Sequence, residues 1–214
     1  NLSAIKAAAL LTALGAALVL LYSGMEVMVV QARSLWNTAL LPLIFAATAM
    51  TGGIGMTALF EALTGNRQSA PVLNQWLARG VWATLALLIL WLIFGLSGTS
   101  TAAADALGAM RGSFGWLATG VWLFGSTLLT LWLARNYQTS LIMPALLALH
   151  GAWLIRWIVF IGGQSLPKMG STSASYSLTL TPDSLLGIVG MAGLCLALYI
   201  ILTSLIPWDD QAKA

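Results

Sequence analysis

Residues 21–42 read LYSGMEVMVVQARSLWNTALLP. A hydrophobic run stops at Tyr22, a short polar stretch holds Glu26, Arg33, Trp36 and Asn37, and Pro42 opens the next hydrophobic run. Hydrophobic–polar–hydrophobic punctuation of this kind decides the fold if the flanking runs are long enough to cross a bilayer, which takes roughly 20 apolar residues. Both are.

The same pattern repeats along the chain. Apolar runs cover about 4–22, 38–60, 77–95, 115–134, 140–163 and 184–207. The expected fold is therefore all-α, a polytopic transmembrane bundle of about six spans, with 1–214 as a single transmembrane domain. Composition agrees. The 214 residues are 59% apolar and only 7% charged, against roughly 25% charged in a soluble domain. Such a chain has too little charge to keep a soluble surface in water.

Composition also excludes functions. The net charge of +3 is scattered, and without a basic run nucleic acid is set aside. Cys195 is the only cysteine, so this chain alone forms no disulfide framework and no thiolate cluster site. The single His150 cannot give the paired ligation of a membrane b-type haem. No haem or metal is expected in this chain, and any redox centre belongs to a partner or a bound small molecule. The chain begins at Asn1 without a basic leader and cleavage site, and it reads as the later part of a longer one.

The connections carry turn residues, as in 64–71, 95–105 and 162–175. TPDS at 181–184 offers Thr181 or Asp183 as a helix cap, and YSLTLT at 176–181 alternates like a short extended segment. Trp36, Trp76, Trp82, Trp116, Trp132 and Trp208 lie near span ends, as in an interfacial belt. Lys6, Arg67, Arg79, Arg135 and Lys213 share the side of the N-terminus, and Arg33, Arg111 and Lys168 the other. Five against three puts Asn1 in the cytoplasm and the opening stretch outside. Gly52, Gly53 and Gly55 permit close helix approach in the second span.

Four residues carry two readings each. Arg156 lies within the fifth span, where a charge either faces a cavity or partner or snorkels past WIVFI to the outer loop. His150 is a proton relay or a hydrogen-bonded interior side chain. Tyr22 is a belt residue or a hydrogen-bond donor to a carbonyl. Glu26, four residues on, is a proton acceptor at the mouth or a solvated acid.

Residues 21–53, LYSGMEVMVVQARSLWNTALLPLIFAATAMTGG, resemble the membrane-anchor family of polysulfide and nitrite reductases, called NrfD/PsrC. Tyr22 and Gly24 match its Y-x-G. Arg33, Leu35, Trp36 and Asn37 match its R-x-L-W-N, and Leu41, Pro42 and Phe45 its L-P-x-x-F. In RWIVFIGGQ at 156–164, Arg156, Gly163 and Gln164 match a second motif near the outer face. The resemblance covers about 4–164. It departs at both ends: the family core has about eight helices, of which some three are missing before this chain's first, and 184–207 is an additional helix. His150 matches no family residue.

The resemblance implies a subunit that binds menaquinone or ubiquinone non-covalently near the outer face. It implies an extracytoplasmic partner with four iron–sulfur clusters, a catalytic subunit of molybdopterin or multihaem type, membrane lipids around it, and the bacterial inner membrane as location. Tyr22 holds the position of the tyrosine that contacts quinone. Glu26, by its position, and Arg156 and Gln164, from the second motif, join it as the quinone set. Arg33, Trp36 and Asn37 are set at the partner interface. No catalytic residue of the terminal reaction is expected here. The competing readings are a membrane scaffold without ligand and a secondary transporter, which predicts inverted repeats and broken helices.

Overall fold

The computed structural model describes residues 2–65, 68–137, 140–168, 179–181 and 185–205. Its helices are α1 (Leu2–Met28), α2 (Leu41–Thr64), α3 (Ala70–Leu96), α4 (Thr101–Met110), α5 (Phe114–Asn136), α6 (Ile142–Trp157) and α7 (Leu185–Leu205). Helix α6 runs on through a π-helical turn, Ile158–Gly162, into a last α turn, Gly163–Ser165. There is no strand among the described residues. Among the described residues, six helices are long and apolar enough to cross a membrane, so the chain is a multi-pass α-helical membrane protein.

Boundaries moved where local chemistry overrode hydropathy. The first span does not end at Tyr22; α1 continues to Met28 and carries Glu26 on the helix. Helix α3 starts at Ala70, seven residues before the expected 77, because Pro71 takes an opening position where no N–H is needed. The stretch 95–105, expected as a connection, holds the start of α4. Ser100 caps it by accepting from the Ala103 N–H at 3.2 Å, and Gly98 and Gly112 turn the chain on either side at φ 72° and 81°. Parts of other expectations, namely Arg67, residues 176–178, Asp183, Ser184, Pro207, Trp208 and Lys213, lie outside the described residues.

The chain divides into two compact units, Asn1–Ala174 and Ser175–Ala214. Within the second, α7 buries no side chain and Cys195 is exposed. Within the first, α2, α3, α5 and α6 form the packed bundle. Leu77, Val81 and Leu85 of α3 meet Leu131 and Ala134 of α5 and Ala148 of α6. Ile44 of α2 meets Leu123 of α5 and Leu154 and Ile155 of α6. Lipid gives no hydrophobic drive between helices, so close packing of small residues matters more. A Cβ on Gly55 would lie 3.1 Å from both the Ala145 carbonyl oxygen and the Ala148 Cβ, and one on Gly52 would lie 3.1 Å from the Ala152 Cβ. Gly53, also expected at a close approach, meets nothing within 4 Å.

The interior holds a band of hydroxyls: Thr48, Thr51, Thr84, Ser126, Thr127 and Thr130 are all buried. Each donates to a carbonyl three or four residues back on its own helix. Polar groups at membrane depth are satisfied internally this way. On the N-terminal side, Arg79 lies over the Trp76 ring at 4.7 Å and Arg135 over Trp82 at 5.9 Å. These cation–π pairs hold charge at the belt depth.

Candidate functional site

The loop 29–40 is ordered by its own backbone. The Arg33 carbonyl accepts from the N–H groups of Trp36 and Asn37, both at 3.0 Å. This single helical turn brings the Arg33 guanidinium to 5.3 Å from the Trp36 ring centroid. Both side chains then reach the end of α6. Arg33 Nη1 points at three carbonyl oxygens, donating to Gln164 at 2.8 Å, Gly163 at 3.2 Å and Leu166 at 3.4 Å. A helix leaves its last carbonyls unpaired and partly negative, so a cation here satisfies both deficits. Trp36 Nε1 donates to the Val159 carbonyl oxygen at 2.5 Å, inside the π-helical turn.

The two glycines of the second motif follow from this contact. A Cβ on Gly163 would overlap the Trp36 indole. A Cβ on Gly162 would lie 2.6 Å from Cη2 of Trp116. Leu35, Ala106 of α4 and Leu166 pack together below. The 33–37 loop, the 162–166 turn and α4 therefore make one clasp at one end of the bundle. Arg33, Trp36 and Gln164 belong to it, Gln164 through its backbone with its side chain exposed. Asn37 is half-buried in the same turn.

Arg156 is not in the clasp. Its guanidinium crosses to α2, donating to Thr48 Oγ1 at 3.3 Å, to the Phe45 carbonyl at 3.4 Å and to its own Ala152 carbonyl at 3.0 Å. It lies 5.3 Å from the Phe45 ring centroid. Of the two readings open for this arginine, the structure shows the partnered one, in the α2–α6 seam.

Tyr22 and Glu26 form a third group. Gly24 is buried, and a Cβ there would overlap Pro42 of α2. At 100° per residue, Tyr22 and Glu26 lie near one another on the opposite face of α1. Tyr22 is 63% exposed, and Leu18 and Met25 beside it are exposed as well. This face is an apolar stripe ending in a phenol and a carboxylate.

His150 accepts from Trp122 Nε1 at 2.8 Å through its Nε2 and is flanked by the Trp153 ring. It is hydrogen-bonded, as in one of its two readings, but only half-buried, against Trp122 and Trp153 that are both exposed, and so not in the bundle interior. Asn74, not singled out in the sequence, is 1% exposed. It donates to the Tyr137 and Ser140 carbonyls at 3.3 and 3.1 Å, fastening the α5–α6 connection. Among the described residues, no three His, Cys, Asp or Glu side chains stand together as metal ligands would.

Sequence reasoning also missed a cavity of about 910 Å³ between α2, α3, α4, α5 and α6. None of Tyr22, Glu26, Arg156 or Gln164 lines it.

Comparison with known proteins bears on what this arrangement does. The profile of the family described as "Polysulphide reductase, NrfD" matches residues 1–168. A tetrathionate reductase subunit from Salmonella typhimurium is 32% identical over 203 residues, which is 91% of this chain and 57% of that protein. The chain thus spans little more than half of that relative's length. No solved structure matches it.

Proposed function

We propose, since this chain belongs to the polysulphide reductase (NrfD) family, that it is the membrane-anchor subunit of a respiratory oxidoreductase complex. It binds a quinone or quinol near the extracytoplasmic face and exchanges electrons with an iron–sulfur subunit docked on the clasp. The N-terminus lies in the cytoplasm and the membrane is the bacterial inner membrane. The observation that carries this reading is the pairing of Tyr22 and Glu26 on one exposed, otherwise apolar stripe of α1.

That stripe fits the ligand class. A quinone arrives through lipid, so its headgroup needs an apolar approach with polar groups at the end. The bound molecule supplies two-electron, two-proton chemistry. The Tyr22 hydroxyl donates a hydrogen bond to a carbonyl oxygen. The Glu26 carboxylate, one turn nearer water, accepts a proton and passes it to the aqueous phase. Arg156, bonded across the α2–α6 seam, and Gln164, in the clasp, stand apart from the Tyr22–Glu26 face of α1, so in this reading they hold the framework rather than touch the ligand. Arg33, Trp36 and Asn37 shape the surface that meets the iron–sulfur partner. The terminal reaction takes place on a further subunit of molybdopterin or multihaem type.

A second reading is favoured by one observation. Arg33 and Trp36 spend these donors on this chain's own carbonyls, which makes the clasp a rigid platform whether or not a quinone binds, and a scaffold without ligand needs no more. Tyr22→Phe separates the two. In the assembled complex, the anchor reading expects quinol turnover to fall about five- to tenfold, the weight of one hydrogen bond. The scaffold reading expects no change.

A further inference from the structure

We propose that the cavity between α2, α3, α4, α5 and α6 is a binding site for one anionic phospholipid, with its acyl chains inside and its phosphate at Arg111. The cavity is large, about 910 Å³, and its lining is almost wholly apolar, with Trp91, Trp116 and Phe124 among its walls. It opens to the bundle's surface, where Phe114, Leu117 and Val121 of its wall are exposed, so in a bilayer acyl chains are the medium that reaches it. Water has too few polar partners there to fill it.

The depth fits one leaflet. The α5 residues lining the cavity run from Phe114, the first of the helix, to Phe124. Ten residues at 1.5 Å each give about 15 Å, half of a hydrocarbon core of roughly 30 Å. Lining residues of α3 and α6 likewise come from the ends nearest the clasp, 88–92 and 155–159. The space therefore begins at the clasp end and stops near mid-membrane, as acyl chains of that leaflet do.

The mouth is built for an anion. Arg111 lines it and is exposed. Its guanidinium has no hydrogen bond or ion pair among the described residues, unlike Arg33 and Arg156. Beside it, Ser113 opens α5 and accepts from the Trp116 N–H at 3.5 Å, leaving earlier N–H groups of the helix directed to the same place. No Asp, Glu, His or Tyr lines the cavity. A site that oxidises quinol needs a proton acceptor, so the chemistry selects a lipid that binds without reacting. Leu35 and Val159 line the cavity and belong to the clasp as well, so a seated lipid braces the platform.

The test uses the intact complex extracted from membranes. Native mass spectrometry would follow exchange of added phosphatidylglycerol and of phosphatidylcholine with the same chains. The wild type is expected to hold one phosphatidylglycerol more tightly than phosphatidylcholine. Arg111→Gln should weaken phosphatidylglycerol about fivefold, the effect of one basic residue at an anionic surface, and abolish the preference. Gly120→Leu grows into the cavity from a position where a Cβ meets nothing within 4 Å. It should expel both lipids while the complex still assembles. Equal phosphatidylglycerol retention by wild type and both variants would overturn the proposal. So would density in the cavity for a quinone, a partner helix or a second copy.

Discussion

Trp36 Nε1 and the Val159 carbonyl oxygen meet at 2.5 Å across 123 residues of sequence. This hydrogen bond joins the R-x-L-W loop to the π-helical turn that runs into Gly-Gly-Gln, making two separate motifs one structure. Irregular π turns cost regular hydrogen bonding and recur at functional sites. Here the irregularity turns a carbonyl toward an indole.

Gly163→Ala should be the most damaging small change in the clasp. The added methyl overlaps the Trp36 ring, and overpacking of this kind costs about 1–3 kcal/mol. Gly162→Ala meets only the outer edge of Trp116, which can swing, so it should cost less. Thermal unfolding of the two variants in one detergent checks the order. Equal, wild-type-like stability of both would mean that the clasp does not hold this end of the bundle together.

Arg33→Gln should destabilise the end of α6 by about 1–2 kcal/mol, since a partly exposed cation on helix carbonyls is worth that much. The loss should be local. Hydrogen exchange of amides at 162–166 should rise while those of α3 and α5 stay as in the wild type.

Arg156→Met separates a structural arginine from one that serves the quinone. Thr48 keeps its own bond to the Ile44 carbonyl at 2.8 Å, so no buried donor is orphaned. Replacing a buried charge by an apolar side chain of similar length is often neutral or better. Stability should stay within about 1 kcal/mol of the wild type, and quinol turnover should stay as in the wild type, since Arg156 contacts only α2 and its own helix. A fall in turnover at unchanged stability would instead place Arg156 in the quinone set.

The six spans were legible because length and hydropathy suffice for them. Residues 21–53 and 156–164 were legible as motifs, each by its own residues. Their union was not. Arg33 and Trp36 bind backbone carbonyls at 159–166, and a carbonyl leaves no mark in a sequence. Helix α4 escaped notice because ten Ala-rich residues between Gly98 and Gly112 resemble a connection. The cavity was hidden because its walls are ordinary Leu, Trp and Phe from five helices. Tyr22 and Glu26 were recognisable as a pair only if the helix continued, and α1 does continue past both.

Glu26→Gln should lower quinol turnover about a hundredfold, the low end for a positioned proton acceptor, without changing assembly. The exposed position of Glu26 makes a folding defect an unconvincing cause of such a loss. Assembly is checked directly by co-purification of the iron–sulfur partner.

The most direct test is a density map of the intact complex in lipid, viewed along the Leu18–Tyr22–Glu26 stripe of α1. The expected map shows a quinone headgroup with a carbonyl oxygen within hydrogen-bond reach of the Tyr22 hydroxyl, and an iron–sulfur partner seated on the clasp. A stripe covered only by lipid tails or by another helix, in a complex that still turns over quinol, would contradict the quinone site on α1.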